Sequence, residues 1–135
     1  MDDYPRHIEE YREIGLNLRH YSNMQFVNLT LALAGQAALF SVAFRTPPVA
    51  GAAKVVVAVG GMMMAVLFYV SEHRIRAYWR SYFKRAEVLE TRTGFSQYAN
   101  APNNAKVTSG NAIRLLFVVL VLFWGTSAFV PGMFG

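Results

Sequence analysis

Three stretches free of formal charge, Met24–Phe44, Val55–Ser71 and Leu115–Val130, constrain this chain of 135 residues more than anything else in it. A helix needs about 20 apolar residues to cross the hydrocarbon of a bilayer, and the first stretch has that length. The other two are shorter, but Lys54 and Arg114 beside them can lay their alkyl stems along the helix and lift their charges to an interface. The chain is 54% hydrophobic and 16% charged, too little charge for a small soluble domain to cover its apolar surface. In hydrocarbon every backbone group must bond internally, so the fold class implied is all-α. We expect an integral membrane protein with three transmembrane helices.

Lysine and arginine are unevenly divided among the segments outside those stretches. Arg6, Arg12 and Arg19 precede the first span. Arg74, Arg76, Arg80, Lys84, Arg85, Arg92, Lys106 and Arg114 lie between the second and the third. Only Arg45 and Lys54 fall on the other side. The positive-inside rule then puts the amino terminus and the long middle segment in the cytoplasm and the carboxyl terminus outside, N-in and C-out. The location implied is the inner (plasma) membrane, crossed several times. Met1 to Glu13 are acidic and amphipathic, unlike the basic start of a secretory leader.

Both cytoplasmic segments carry a helical pattern. Before the first span, Tyr4, Ile8, Tyr11, Ile14, Leu18 and Tyr21 recur at spacings of three and four. After Tyr69, the residues Ile75, Tyr78, Trp79, Tyr82, Ala86 and Leu89 form a second apolar stripe. Arg76, Arg80, Lys84 and Glu87 are expected opposite it, with Glu72 four residues before Arg76, a favourable order for a helix pair. No proline or glycine separates the second span from this stripe, so one helix should run on and end near Gly94. The amino-terminal segment has five acids against three arginines, and the stretch Glu72 to Arg92 has six basic residues against three acids. Opposite signs favour packing stripe to stripe; the alternative is that both lie flat on the anionic inner leaflet, which suits the basic helix and not the acidic one. The resulting boundaries are an amphipathic helix over 4–22, a span over 24–44, a span with its continuation over 53–93, a connector over 94–110 and a span over 112–131. Pro47-Pro48 and Gly51 mark a tight outer turn, and Ser109 or Asn111 can cap the third span.

The stretch "RIRAYWRSYFKRAEVLETRTGF", following a paired-helix hairpin and preceded by an amphipathic helix, resembles the SLATT-type membrane modules of bacteria. The resemblance covers roughly Met1 to Phe95. It implies a transmembrane hairpin with cytoplasmic helical extensions that oligomerises into membrane-perturbing pores downstream of nucleotide-sensing defence proteins. The third span lies outside that two-span pattern, and no functional residue is implied by the likeness.

Within the spans no Asp, Glu, Lys, Arg or His lies deep, which argues against a proton pump or ion-coupled carrier. The polar or small residues Gln25, Asn28, Ala32, Gly35, Gln36 and Ala43 share one face of the first span. Gln25, Asn28, Gly35 and Gln36 are therefore candidates either for helix packing or for lining a pore, with Gln36 near mid-depth. Ile75, Tyr78, Trp79, Tyr82 and Leu89 are the candidates for packing the cytoplasmic stalk. Met62, Met63 and Met64 point about 100° apart on a helix and cannot converge on a copper ion. His20 and His73, both near the cytoplasmic interface, are the one pair that could ligate haem.

The chain contains no cysteine, which excludes disulfides and thiolate metal sites. Basic residues opposite an aromatic stripe suit packing better than a base-stacking groove, so nucleic acid is not an expected partner. No catalytic or cofactor constellation is present. The function implied is non-enzymatic and without a cofactor: a protein in contact with membrane lipid that self-associates, as a channel or pore. The alternative is an accessory or anchoring subunit of a larger membrane complex, and a haem-bearing redox subunit is the weaker third reading.

Overall fold

The computed structural model describes residues 3–45, 51–100 and 109–130. Among them are three α-helices and no strand: α1 Tyr4–Ala43, α2 Ala52–Thr93 and α3 Ser109–Phe129. Each holds a stretch long and apolar enough to cross a membrane, with mean hydropathies of 1.6, 2.0 and 2.1. The turn expected at Pro47-Pro48 and the connector over 101–108 lie outside the described residues, as does the Ser109 side chain.

Helix α1 starts where Pro5 can be tolerated, in the first turn, and the Asp3 carbonyl accepts the His7 amide at 3.0 Å. The amphipathic segment expected over 4–22 and the span expected over 24–44 belong to one helix, since α1 runs through Asn23 unbroken. Ser22 does not compete as a cap; its hydroxyl donates to the Leu18 carbonyl at 2.9 Å. Helix α2 is equally continuous and stops at a specific device. Gly94 has a φ of 79° and its amide donates to the Glu90 carbonyl at 2.9 Å, a left-handed cap that a side-chain-bearing residue would strain.

The chain divides into two compact units, Met1–Val27 with Glu72–Lys106 and Asn28–Ser71 with Val107–Gly135. In the first, which holds most of the charge, the two apolar stripes meet. Ile14, Leu18, Ala86 and Leu89 form the core, edged by Tyr11, Trp79, Tyr82, Phe83 and Tyr98. Burying each of the larger aliphatic side chains contributes roughly 2 kcal/mol. Ile75 is buried as well. Tyr21 stacks on both Tyr78 and Tyr82, with centroids 5.6 Å away in each case. Tyr78 is nonetheless half exposed, and Tyr4 and Ile8 at the start of the first stripe are left uncovered. Arg76 departs from the expected outward face: its side chain is only 15% exposed because it turns back to Glu72, with 2.6 Å between Nε and Oε1.

In the second unit small residues bring the helices close. Ala32 and Ala65 pack with Phe117 and Leu120, and Ala43 and Ala58 pack with Trp124. The outward side chains are apolar, including Leu31, Val56, Leu67, Leu115 and Leu122. Lys54 does not reach only for an interface; its ammonium donates to the Val130 carbonyl at 2.7 Å, beside the last turn of α3.

Two adjacent glycines in α2 differ sharply. Nothing lies within 4 Å of where a Gly60 side chain would start, whereas one on Gly61 would run into the Trp124 ring. Gly61→Ala should therefore destabilise the protein by about 1–3 kcal/mol, while Gly60→Ala should be neutral or stabilising by up to about 1 kcal/mol. Thermal unfolding of the purified protein in detergent compares the two, and equal midpoints would contradict this packing.

Candidate functional site

The polar face of α1 is turned inward. In the apolar unit, the Asn28 amide donates to the Phe68 carbonyl at 3.5 Å and its Oδ1 accepts the Ser71 hydroxyl at 3.1 Å. One and two turns further, Ala32 and Gln36 are buried, and Gly35 faces the thioether of Met64.

Gln36 is the centre of this arrangement. Its Nε2 donates to the Gly61 carbonyl at 3.1 Å, and its Oε1 accepts the Trp124 indole N–H at 2.6 Å. One side chain thus ties α1 to α2 and to α3. Gly61 serves twice, offering its carbonyl to the amide and its bare Cα to the indole ring. Gln36 is 2% exposed and Trp124 is fully buried. Both bonds run between helices of this one chain.

In the charged unit, Gln25 Nε2 donates to Glu72 Oε1 at 2.6 Å, the same oxygen that Arg76 engages. Glu72 is 1% exposed. The sequence showed the Glu72–Arg76 spacing but gave no sign that the pair would be buried, since its third member lies 47 positions away.

A second buried carboxylate, Glu90, was not singled out from the sequence. It accepts the backbone amides of Tyr98 and Ala99, each at 2.7 Å, and the Tyr11 hydroxyl at 2.8 Å. Tyr98 and Ala99 are thereby held against the helices, with Tyr98 edge-on to Tyr11 and to Phe83 at 5.7 and 5.6 Å. Burial alone would raise the Glu90 carboxyl, but the Tyr98 and Ala99 amides and the Tyr11 hydroxyl outweigh it and hold the group below its ordinary value. Burial, and then the bond to Glu90, pushes the Tyr11 hydroxyl upward, so it remains a donor. Nearby, the exposed pair Arg85 and Glu10 meets at 2.6 Å. The bond to Arg85 lowers the Glu10 carboxyl and that to Glu10 raises Arg85. Such exposed pairs add little to stability.

His20 and His73 are both exposed, and the His20 ring sits edge-on to Tyr21. Met62 packs partly buried beside Trp124, Met63 points outward and Met64 meets Gly35. No group of three or more His, Cys, Asp or Glu able to hold a metal occurs among the described residues. No protein family, curated protein or solved structure matches the chain.

Two tests follow from these contacts. Gln36→Leu should cost about 1–3 kcal/mol, because it removes the acceptor of the buried Trp124 N–H and the donor to the Gly61 carbonyl. Adding Trp124→Phe should recover part of that loss, and strictly additive effects in the double-mutant cycle would contradict the bond. The Glu90 carboxyl is lower in the folded chain than in the unfolded one, so the unfolded chain takes up the proton first. The contribution is whole above the ordinary value of 4.5 and disappears as pH falls through the depressed folded value. Glu90→Gln should lose about 2–3 kcal/mol at pH 7 and flatten the acid limb of the stability curve. An acid limb unchanged in the variant would assign it to other groups.

Proposed function

We propose that this chain is a non-enzymatic, self-associating integral membrane protein of the inner (plasma) membrane, oriented N-in and C-out. The apolar unit sits in the bilayer and the charged unit in the cytoplasm. The distribution of lysine and arginine supports the orientation, and the length and hydropathy of the three helices support insertion. The resemblance to SLATT-type modules belongs to the same proposal.

One observation carries the self-association. After the two stripes have packed, the charged unit still leaves large apolar side chains in the open. Leu16 is 55% exposed, Val88 45% and Tyr78 50%, and Ile8 and Phe95 are uncovered too. Lipid does not solvate this unit in the proposed orientation, so a second copy is the simplest cover. Asn28 and Gln36 engage partners within their own chain. A channel or pore formed by such an oligomer belongs to the same proposal.

The mass of the purified protein in detergent tests the proposal. A discrete homo-oligomer is expected, and Leu16→Glu with Val88→Glu should reduce it to the protomer while the helical content stays unchanged. A wild-type protein that is monomeric and aggregates without a partner would contradict self-association. That behaviour would favour the anchoring subunit of a larger membrane complex.

A further inference from the structure

Gln97 and Tyr98, with residues of α1 and α2, line a cleft of about 620 Å³ in the charged unit. Its floor is the face of α1 at Gly15, where the absence of a side chain leaves room, and the Tyr98 hydroxyl stands 3.5 Å from where a Cβ would be. Arg12 and Arg19 lie on the same side of the helix, two turns or about 10 Å apart, one on each side of that gap. Trp79, Gln97 and Tyr98 stand among the walls, and no carboxylate lines the cleft among the described residues. Arg19 makes one long bond to the Gly15 carbonyl at 3.4 Å, and both guanidinium groups belong to exposed residues.

We propose that this cleft binds a phosphate-bearing anion through Arg12 and Arg19. A guanidinium presents a planar fork of N–H donors that matches phosphate oxygens. Two forks flanking a bare stretch of backbone, beside the aromatic residues Trp79 and Tyr98, form an open cleft whose charged groups are both cationic. The wall is fixed and not incidental, because the buried Glu90 carboxylate holds the Tyr98 and Ala99 amides in place. The chemistry is common to an anionic phospholipid headgroup and to a soluble phosphate. The lipid source rests on the membrane reading above, since the cleft ends at Ser22, two residues before the first expected span, where the anionic inner leaflet would lie.

The full chain, purified in a non-ionic sugar detergent, is titrated with inorganic pyrophosphate and, separately, with dihexanoyl phosphatidylglycerol. Dihexanoyl phosphatidylcholine serves as the zwitterionic control, and the fluorescence of Trp79 in the cleft wall is the readout. Saturable binding of at least one anion below ~1 mM is expected. Phosphatidylglycerol alone would identify a headgroup site, and pyrophosphate binding a soluble phosphate. Arg12→Gln with Arg19→Gln should weaken binding at least about tenfold, and Gly15→Leu should block it by filling the floor. Circular dichroism should be unchanged in both variants. The proposal is overturned if neither anion saturates, if the zwitterionic lipid responds equally, or if the arginine variant, still helical, binds as tightly. Oligomeric mass measured on the same preparation is independent of these outcomes, so a failure here leaves self-association standing.

Discussion

A side-chain amide on a helix with an apolar surface must find its partners inside the protein, and Gln36 finds two. Its bonds to the Gly61 carbonyl and the Trp124 indole make it the point through which α1, α2 and α3 are held in one register. An apolar interface of alanines and leucines can slide by a turn at small cost, whereas a buried donor moved away from its acceptor loses about 1–3 kcal/mol at once. The knot therefore supplies specificity as much as stability. It also explains a feature that otherwise looks wasteful, a glycine in the middle of a helix, because Gly61 alone leaves room for the indole ring.

The charged unit follows a different physics. Its visible ion pair, Glu10 with Arg85, lies on the surface, where solvent and salt screen it. The organising charges are the buried carboxylates. Glu72 gathers Gln25 and Arg76, and Glu90 gathers the Tyr11 hydroxyl and two amides of the connector. Glu90 converts the end of a helix and the residues after it into a fixed wall. The cleft exists because of that wall, and so does the acid sensitivity expected of the unit.

Much of the fold was legible because it depends on local patterns. Periodicity placed Ile14 and Leu18 against Ala86 and Leu89, and the change from charge-free to charged residues without a helix breaker foretold the continuity of α2. Gly94 as its stop could be read from the need for a left-handed residue. The change of polarity near Asn23 is not a change in backbone, and nothing at Ser22 or Asn23 breaks the helix. The site was less legible. The polar face of the first span was visible, but its partners lie 25 and 88 residues from Gln36, and no local pattern names them. Glu90 looked like one more solvated glutamate. Its burial depends on Tyr98 folding back, which follows from long-range packing of Tyr11 and Phe83.

The central claim is that the polar groups of the apolar helices are engaged within the chain, with the Trp124 indole N–H held by Gln36. Hydrogen–deuterium exchange of the two tryptophan indole protons, followed by NMR on the detergent-solubilised protein, tests it most directly. The Trp124 N–H is expected to exchange far more slowly than that of Trp79 and to lose this protection in Gln36→Leu. A Trp124 N–H that exchanges as fast as that of Trp79 in the wild type would show that Gln36 faces water, and the account would fail.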